Sequence, residues 1–355
     1  MSFDLLLSKM AQKWREVPGA TDQHPRQFSD QLLQAPEAEL IAWWASQYEN
    51  AHSLRGWYWK LYGDILRGKR VLEIGSGLGF DAVHLASQGA SVTCCDIAPS
   101  NLEIIRRVAR QRGLDIATLH IDGIGAFAKL ASDFDAVWCI GSIHHVPFDE
   151  AREESAAIIS HLRLGGRWIE LTYPRERWVR EGSLPFDQWG RLTDGERTPW
   201  AEWYDIEKLK LRLYPWRLEP TLEYRHQSDN YVWMDSLVIG KGDAAPIAHK
   251  KVPAPTKPLT APGPMWNYAW STPLGPSPAG AVVTVEIECV IEKGSVGFAL
   301  KHGREDRFIS REIIMEARTG NQCLYLTTAA YEPDTVLMTR SAMALGVSEY
   351  RITSI

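Results

Sequence analysis

The sequence predicts an α/β domain with a mostly parallel sheet, followed by a smaller all-β domain. Between residues 70 and 172, short apolar strands alternate with helical segments, which is the pattern of a parallel sheet covered by helices on both faces. A proline-rich stretch follows at 242–264. Beyond it apolar residues occupy every second position, as in Val283, Val285 and Ile287, which predicts the half-buried strands of a sandwich or jelly roll.

The chain before the first strand predicts helices. Leu40, Trp44 and Tyr48 follow helical spacing. A second segment, 55–62, is rich in aromatic residues and also fits a helix. We expect residues 1–66 to form a helical cap on the sheet that follows.

Five strands and three helices are predicted in the alternating region. The predicted strands are 70–74, 91–96, 116–121, 134–140 and 167–172, and the predicted helices are 81–88, 99–112 and 153–162. Proline near the start of the second helix and glycine after its end agree with the preferences of helix termini. Two late strands, 216–226 and 231–239, predict a closing hairpin.

These elements divide the chain into four predicted parts. The helical cap is 1–66, and the α/β domain is 67–241. Within that domain, the charged and aromatic segment 173–203 interrupts the alternation and is expected to be an irregular lid. Residues 242–264 are expected to be a semi-rigid linker rather than a folded element, and 265–355 to form the β-sandwich.

Composition excludes several classes of protein. The 355 residues carry a formal net charge of -5 with 45% hydrophobic content, which is typical of a globular protein without a nucleic-acid partner. No apolar run has the length of a membrane span, and the first residues, with an early Asp4, lack the pattern of a signal peptide. The five cysteines show no C-x-x-C spacing, which favours buried thiols in a reducing compartment. We therefore expect a cytoplasmic protein.

A glycine-rich turn between the first strand and the first helix is the most informative feature. Gly75, Gly77 and Gly79 alternate there, which lets the backbone turn tightly and lets a ligand lie against bare main chain. The spacing is G-x-G-x-G, not the G-x-G-x-x-G of dinucleotide-binding folds. Glu73 precedes the first glycine by two positions. A carboxylate there suits a ligand with an ammonium group rather than a phosphate.

Two further acids follow the next strands. Asp96 ends the second strand, where a carboxylate can accept both hydroxyls of a ribose. Asp122 ends the third strand and could accept a hydrogen bond from an adenine amino group, although Asp-Gly is also an ordinary turn. Together with Glu73, these residues place three acids at three successive strand ends.

From 68 to 166 the chain resembles the class I S-adenosylmethionine-dependent methyltransferases, through the glycine turn, the acids and the His-His-Val-Pro loop at 144–147. The resemblance implies a Rossmann-like sheet of seven strands, the last one antiparallel, with helices on both faces. It implies S-adenosylmethionine as the methyl donor, with S-adenosylhomocysteine as the product. The residues expected to bind this donor are Glu73, Gly75, Ser76, Gly77, Asp96, Ile97, Asp122, Gly123 and Ile140.

The acceptor side offers several candidate bases. His144 and His145 follow the fourth strand, beside the expected position of the reacting methyl group, and histidine has a suitable ordinary pKa for proton transfer. Glu170 and Tyr173 lie at the end of the fifth strand. Arg55, in the cap, is a candidate partner for the donor's carboxylate. No metal is required, because the two adjacent histidines lack the spacing of a metal site.

Three functions remain open from the sequence. The first is O-methylation of a sugar or glycan intermediate, which a resemblance of the β segment to sandwich domains of bacterial glycan-associated methyltransferases favours. The second is methylation of a small lipid or secondary metabolite, with the lid tryptophans as an apolar pocket. The third is a donor-binding scaffold that acts through its β domain. A small-molecule or glycan partner is expected, and the oligomeric state is open. The lid tryptophans are Trp178, Trp189, Trp200 and Trp203.

Overall fold

The computed structural model describes residues 3–16, 28–243, 247–250, 253–278, 281–305, 307–328 and 331–355. The chain forms two compact units. The first comprises Met1–Trp178 and Leu184–Lys241, and the second comprises Val179–Ser183 and Gly242–Ile355.

The first unit begins with three helices, α1 (Phe3–Trp14), α2 (Ser29–Leu32) and α3 (Glu37–Ile65). The two helical segments predicted before the sheet are one continuous helix, because Gly56 does not interrupt α3. The aromatic residues of α3 face inward. Trp44 and Tyr62 are fully buried.

Seven strands form the sheet of the first unit, in the order β3-β2-β1-β4-β5-β7-β6. The first five strands are parallel to one another, and β7 lies between β5 and β6 and is antiparallel to both. The predicted Rossmann-like sheet with a closing hairpin is thus confirmed. The strands are β1 (Arg70–Ile74), β2 (Ser91–Asp96), β3 (Ile116–His120), β4 (Phe134–Ile140), β5 (Leu162–Thr172), β6 (Trp216–His226) and β7 (Tyr231–Lys241).

Helices cover both faces of this sheet. They are α4 (Phe80–Ser87), α5 (Pro99–Arg112), α6 (Phe148–Ile159), α7 (Arg175–Arg180), α8 (Phe186–Asp194) and α9 (Ile206–Leu213). The segment 173–203 was expected to be irregular, but it contains α7 and α8. Both helices begin just after a proline, Pro174 or Pro185, whose fixed φ favours a helix start.

Two apolar layers lie on the two faces of the sheet. One contains Leu72 and Ile74 of β1 with residues of α6 and α9, and we call it the α6 side. The other contains Val71 of β1 with residues of α3, α4 and α5, and we call it the α3 side. Alternation along the strand separates Leu72 and Ile74 from Val71 and Glu73.

The second unit has two sheets around one apolar core. One sheet has the order β10-β15-β12-β13, and the other has the order β14-β11-β16-β9, with β8 also paired to β11. Residues of both sheets share a core that includes Val285, Phe298 and Tyr350, so the predicted all-β sandwich is confirmed. The strands are β8 (Ile247–Lys250), β9 (Leu259–Pro262), β10 (Tyr268–Pro273), β11 (Val282–Lys293), β12 (Ser295–Lys301), β13 (Ile313–Glu316), β14 (Gln322–Thr328), β15 (Val336–Ser341) and β16 (Val347–Ser354).

The expectation that 242–264 is a semi-rigid linker rather than a folded element needs correction. β8 and β9 both lie within it, and they pair with β11 and β16 of the sandwich. Leu259 and Ala261 turn towards the core of the second unit. Pro253, Pro255 and Pro258 stand between these short strands and Pro262 ends β9, where a missing backbone donor costs little.

Candidate active site

A cavity of about 580 Å³ lies at the carboxyl ends of β1, β2, β4 and β5, entirely within the first unit. Helices of the N-terminal segment contribute to its wall. The contributing residues of α1 are Leu7, Met10 and Trp14, and those of α3 are Gln47, Asn50, Ala51, Leu54 and Arg55. Crevices outside the carboxyl ends of parallel strands are where α/β sheets bind their ligands.

The glycine turn forms one side of the cavity with bare backbone. Gly75, Gly77 and Gly79 have φ of 71°, 51° and 73°, a left-handed conformation that glycine adopts without strain. A Cβ on Gly75 would also lie 2.4 Å from Cβ of Ser142. Ser76, between the glycines, lines the cavity as expected and its hydroxyl donates to backbone carbonyls.

A charged group lies on the α3 side of the turn. The Arg55 guanidinium donates to the Asp81 carboxylate at 2.8 Å, and the Trp59 indole donates to the same carboxylate at 2.6 Å. Arg55, Asp81 and Glu73 all line the cavity. The side chain of Arg55 is 31% exposed, so a ligand can reach it.

Glu73 is buried beside this group and accepts a hydrogen bond from the Cys94 thiol. Burial, and then the charge of Asp81, raises the pKa of its carboxyl well above the usual value. A ligand cation placed beside Glu73 would favour the ionised form. The residue therefore fits the predicted ammonium-binding role.

Asp96 lines the cavity at the end of β2. Its carboxylate accepts hydrogen bonds from the backbone N–H groups of Gly77 and Ala98, at 2.7 and 2.8 Å, and one from the Asn101 amide at 3.4 Å. Burial raises the pKa of this carboxyl to about 6, against the opposing effect of these hydrogen bonds. Asp96 thus fixes the glycine turn as well as facing the cavity.

The other residues that were expected to bind the methyl donor fall into two groups. Ile97 and Ile140 line the cavity. Asp122 and Gly123 do not, and Asp122 is exposed. Their neighbour Ile121 lines the wall instead. β3 ends at His120, one residue earlier than expected.

His144 is a buried imidazole on the cavity wall, in the loop after β4. Neither ring nitrogen makes a hydrogen bond to a residue that the structure describes. Burial, and then the charges of His145, Arg212 and Arg177, lowers its pKa well below the ordinary value. The imidazole is therefore neutral at pH 7 and offers one nitrogen as a proton acceptor.

His145 and Tyr173 also line the cavity, but both have partners. His145 Nδ1 lies 2.8 Å from the carbonyl of Trp200, and its ring packs against Trp14 with centroids 4.8 Å apart. The Tyr173 hydroxyl donates to Asp194 at 2.8 Å. Burial and the Asp194 carboxylate raise the pKa of Tyr173 well above its usual value, so its hydroxyl stays protonated at neutral pH and is not available as a base.

Glu170 is not placed where a base is needed. It points to the α6 side, and the cavity wall does not include it. Its carboxylate binds the guanidinium of Arg212 and the indole of Trp168. The prediction of a catalytic Glu170 fails because alternation along β5 directs its side chain away from the ligand edge.

The lid tryptophans do not form an acceptor pocket either. Trp178, Trp189 and Trp203 are buried in the packing of the lid, and the cavity lining contains none of the four. Trp178 and Trp203 stack on each other with centroids 5.6 Å apart. The tryptophan that does face the cavity is Trp14 of α1.

Several cavity residues were not recognised from the sequence. Asp81 stands two positions after Gly79, in the first turn of α4, so the sequence could have indicated it. Glu154 occupies a position of α6 with the same inward spacing as Ala151 and Ile158, which was a weaker one. Asn101 and Asp194 had no signal in the sequence, because only the folded chain brings them to the wall.

The fold and the site together define a Rossmann-like domain that binds its ligand over a glycine turn. The family model described as a methyltransferase domain matches residues 71–166. This match confirms the resemblance to class I S-adenosylmethionine-dependent methyltransferases over that segment.

Among curated proteins, the chain is similar to ubiquinone biosynthesis O-methyltransferases. It is 29% identical to the one from Bordetella parapertussis over 133 residues, which cover 36% of this chain and 54% of that protein. It is 42% identical to the one from Methylocella silvestris over 81 residues, covering 23% and 31%. The chain thus spans about half the length of these relatives or less.

Among solved structures, it is similar to magnesium protoporphyrin IX methyltransferase from Synechocystis PCC 6803, with 18% identity, 66% of this chain and 96% of that chain covered, and a TM-score of 0.41. It is also similar to an S-adenosylmethionine-dependent methyltransferase from Clostridium acetobutylicum, with 14% identity, coverage of 51% and 88%, and a TM-score of 0.39. No helix in the described part of the chain is long and apolar enough to cross a membrane.

Proposed function

We propose that the chain is an S-adenosylmethionine-dependent O-methyltransferase that acts on a hydroxyl group of a small molecule. The observation that carries the proposal is His144, a buried imidazole on the cavity wall whose ring nitrogens have no hydrogen-bond partner in the described structure. The match of residues 71–166 to methyltransferase domains supports the reaction class.

The residues of the cavity fit the proposed donor. The glycine turn leaves room for a ligand against bare backbone, and Gly75 tolerates no side chain. Arg55 and Glu73 are suited to the carboxylate and the ammonium group of the methionine part. Asp96, at the end of β2, is suited to the ribose hydroxyls.

The donor supplies a methyl group that is already activated on a sulfonium sulfur, so the protein mainly aligns the reactants and excludes water. When the methyl carbon bonds to the acceptor oxygen, its bond to the sulfonium sulfur would break and S-adenosylhomocysteine would leave, and His144 would accept the hydroxyl proton on a ring nitrogen. Its lowered pKa keeps the ring neutral and ready for this step at pH 7. The hydrogen bond to Asp194 fixes the ring of Tyr173, and this ring would pack against the acceptor next to His144.

A flat, apolar acceptor suits the end of the cavity at His144 best. The wall around His144 contains Tyr173, Tyr231, Leu171 and Ile143, and aromatic faces favour such molecules. The relatives named for ubiquinone biosynthesis support the same choice. A sugar or glycan was the first expectation from the sequence. It would present several polar hydroxyl groups to this apolar wall, so we consider it the second candidate acceptor.

The test is methyl transfer by the purified full chain from labelled S-adenosylmethionine. Two acceptor panels are compared, one of phenols and catechols with apolar substituents and one of nucleotide sugars. We expect transfer to the first panel, with loss of the signal in His144→Ala. Transfer to the sugars alone would reverse the acceptor assignment. Donor binding without transfer to either panel would favour the scaffold alternative.

A further inference from the structure

The second unit contains a cluster of one imidazole and two carboxylates, formed by His302, Glu332 and Asp334. His302 Nε2 is in hydrogen-bond contact with Glu332 Oε2 and lies 3.7 Å from Asp334 Oδ1. One ligand atom from each residue lies within 4.8 Å of the other two. Ligands that bind one zinc ion at about 2.0–2.2 Å are roughly 3–3.6 Å apart, so small side-chain movements would close these three atoms around an ion.

His302 is the most buried member of the cluster and is directed only at the two acids. It is 6% exposed. Apart from the two carboxylates, neither ring nitrogen has a partner among the residues that the structure describes. The same contacts would also serve an imidazole that donates a hydrogen bond to Glu332, so affinity for a metal ion is the property that distinguishes the two arrangements.

The backbone fixes both halves of the cluster. His302 directly follows β12, and Glu332 and Asp334 belong to the turn before β15, the neighbouring strand. Within this turn, the Glu332 N–H donates to the Thr335 hydroxyl at 3.0 Å, and the Thr335 N–H donates to the Glu332 carbonyl at 2.9 Å. Gly303 permits the close approach of the two segments, because a Cβ there would lie 2.2 Å from the Asp334 carbonyl oxygen. The three ligand side chains therefore project from a preorganised backbone.

Two arginines contact the outer oxygens of the acids. Arg304 Nε lies 3.4 Å from Asp334 Oδ2, and Arg307 Nη2 lies 3.8 Å from Glu332 Oε1. The arginine side chains are 87% and 52% exposed, so water screens their charges and both pairs are weak. The inner oxygens, which face the imidazole, are left for an ion.

We propose that His302, Glu332 and Asp334 bind a divalent transition-metal ion of the zinc type. An imidazole nitrogen and carboxylate oxygens are zinc ligands, whereas magnesium and calcium prefer sets made of oxygen alone. Water would complete the coordination on the outer side, where the Glu332 side chain is 48% exposed. The ion would cross-link the loop after β12 to the turn before β15 and so stabilise the second unit. The inference does not depend on the proposed methyl transfer.

The surroundings of the imidazole set the expected affinity. A metal ion at Nε2 of His302 places the ring proton on Nδ1, which is buried and has no acceptor in the described part of the chain. Because an acceptor at this nitrogen contributes about 10–100-fold to metal affinity, we expect a dissociation constant in the micromolar rather than the nanomolar range.

The test is calorimetric titration of the full chain, first stripped of metal with EDTA, with zinc chloride and separately with magnesium chloride. We expect the wild-type protein to bind zinc and not magnesium at this site. Glu332→Gln and Asp334→Asn should each weaken the zinc binding by about tenfold or more, the effect expected of a ligand at least as important as its supporting partner. Zinc bound elsewhere in the chain would persist in all variants, so the measured quantity is the difference from the wild-type protein.

Thermal unfolding with and without zinc provides the second readout. Zinc should raise the unfolding temperature of the wild-type protein by more than that of either variant, and the scans in EDTA show whether each variant is folded. Glu305→Gln is the matched control, because it removes one negative charge from the same loop without removing a ligand, and it should bind zinc as the wild-type protein does. Equal zinc affinity in the wild-type protein and both ligand variants, or equal affinity for zinc and magnesium, would overturn the site. Absence of zinc binding would identify the cluster as an ion pair only.

Discussion

Arg212 and Glu170 form a buried ion pair beneath the acceptor end of the cavity. Arg212 Nη1 donates to Glu170 Oε1 at 3.0 Å and Nη2 binds the second oxygen. The two side chains are 0% and 1% exposed. Each charge therefore depends on the other, because no water is available to replace a lost partner.

Glu170→Ala should destabilise the protein without affecting donor binding. Removal of one partner leaves an uncompensated buried charge, so we expect the free energy of unfolding to fall by about 3–5 kcal/mol. Chemical denaturation measures the loss, and calorimetry with S-adenosylhomocysteine measures binding. The double variant Glu170→Met with Arg212→Met should recover most of the stability. Weakened donor binding in folded Glu170→Ala would contradict a purely structural role.

Binding of S-adenosylhomocysteine should release a proton from Glu73. The raised pKa favours the protonated carboxyl in the free protein, and the ligand's ammonium group favours the ionised form. Because ionisation accompanies binding, affinity should rise with pH through the pKa of the free protein. Calorimetry at pH 6.5 in buffers of different ionisation enthalpy measures the release.

The control for this experiment separates Glu73 from Asp96, whose pKa of about 6 also lies in the range. Glu73→Gln should release markedly fewer protons than the wild-type protein, whereas Asp96→Asn should retain the contribution of Glu73. Equal release from Glu73→Gln and the wild-type protein would rule out the ammonium-binding role.

The sheet and the glycine turn could be predicted from the sequence because both depend on local patterns. Strand ends, glycine spacing and Asp96 are read from a few consecutive residues, and the structure places them as expected. Asp122 is exposed, and Ile121, one position before it, lines the cavity instead, because successive residues of an extended chain point to opposite sides.

The acceptor end was less predictable because distant segments build it. Trp14 of α1, Asp194 of α8 and Tyr231 of β7 meet only in the folded chain. Glu170 and Tyr173 share one strand end, yet partners far along the chain, Arg212 and Asp194, determine what each can do.

Gly75→Ala should abolish donor binding. The substitution requires a left-handed conformation of alanine, at roughly 1–2 kcal/mol, and it places Cβ 2.4 Å from Cβ of Ser142. Gly68→Ala is the control, since Gly68 has the same φ of 71° with no atom within 4 Å of the added Cβ. Thermal unfolding and S-adenosylhomocysteine titration of both variants distinguish the backbone strain of a left-handed alanine from the steric clash with Ser142. Similar binding losses in both would show that the contact with Ser142 is unimportant.

His144→Asn should lower kcat by about 10²–10⁴-fold, the usual contribution of a positioned base, while leaving the affinity for S-adenosylhomocysteine unchanged. The reason is that His144 faces the acceptor end and makes no hydrogen bond that the described structure would lose. His145→Asn is the matched variant. Its ring packs on Trp14 and binds the Trp200 carbonyl, so we expect it to lower stability more than kcat. Single-turnover methyl transfer distinguishes the two variants. A loss of catalysis in His145→Asn but not in His144→Asn would identify His145 as the base.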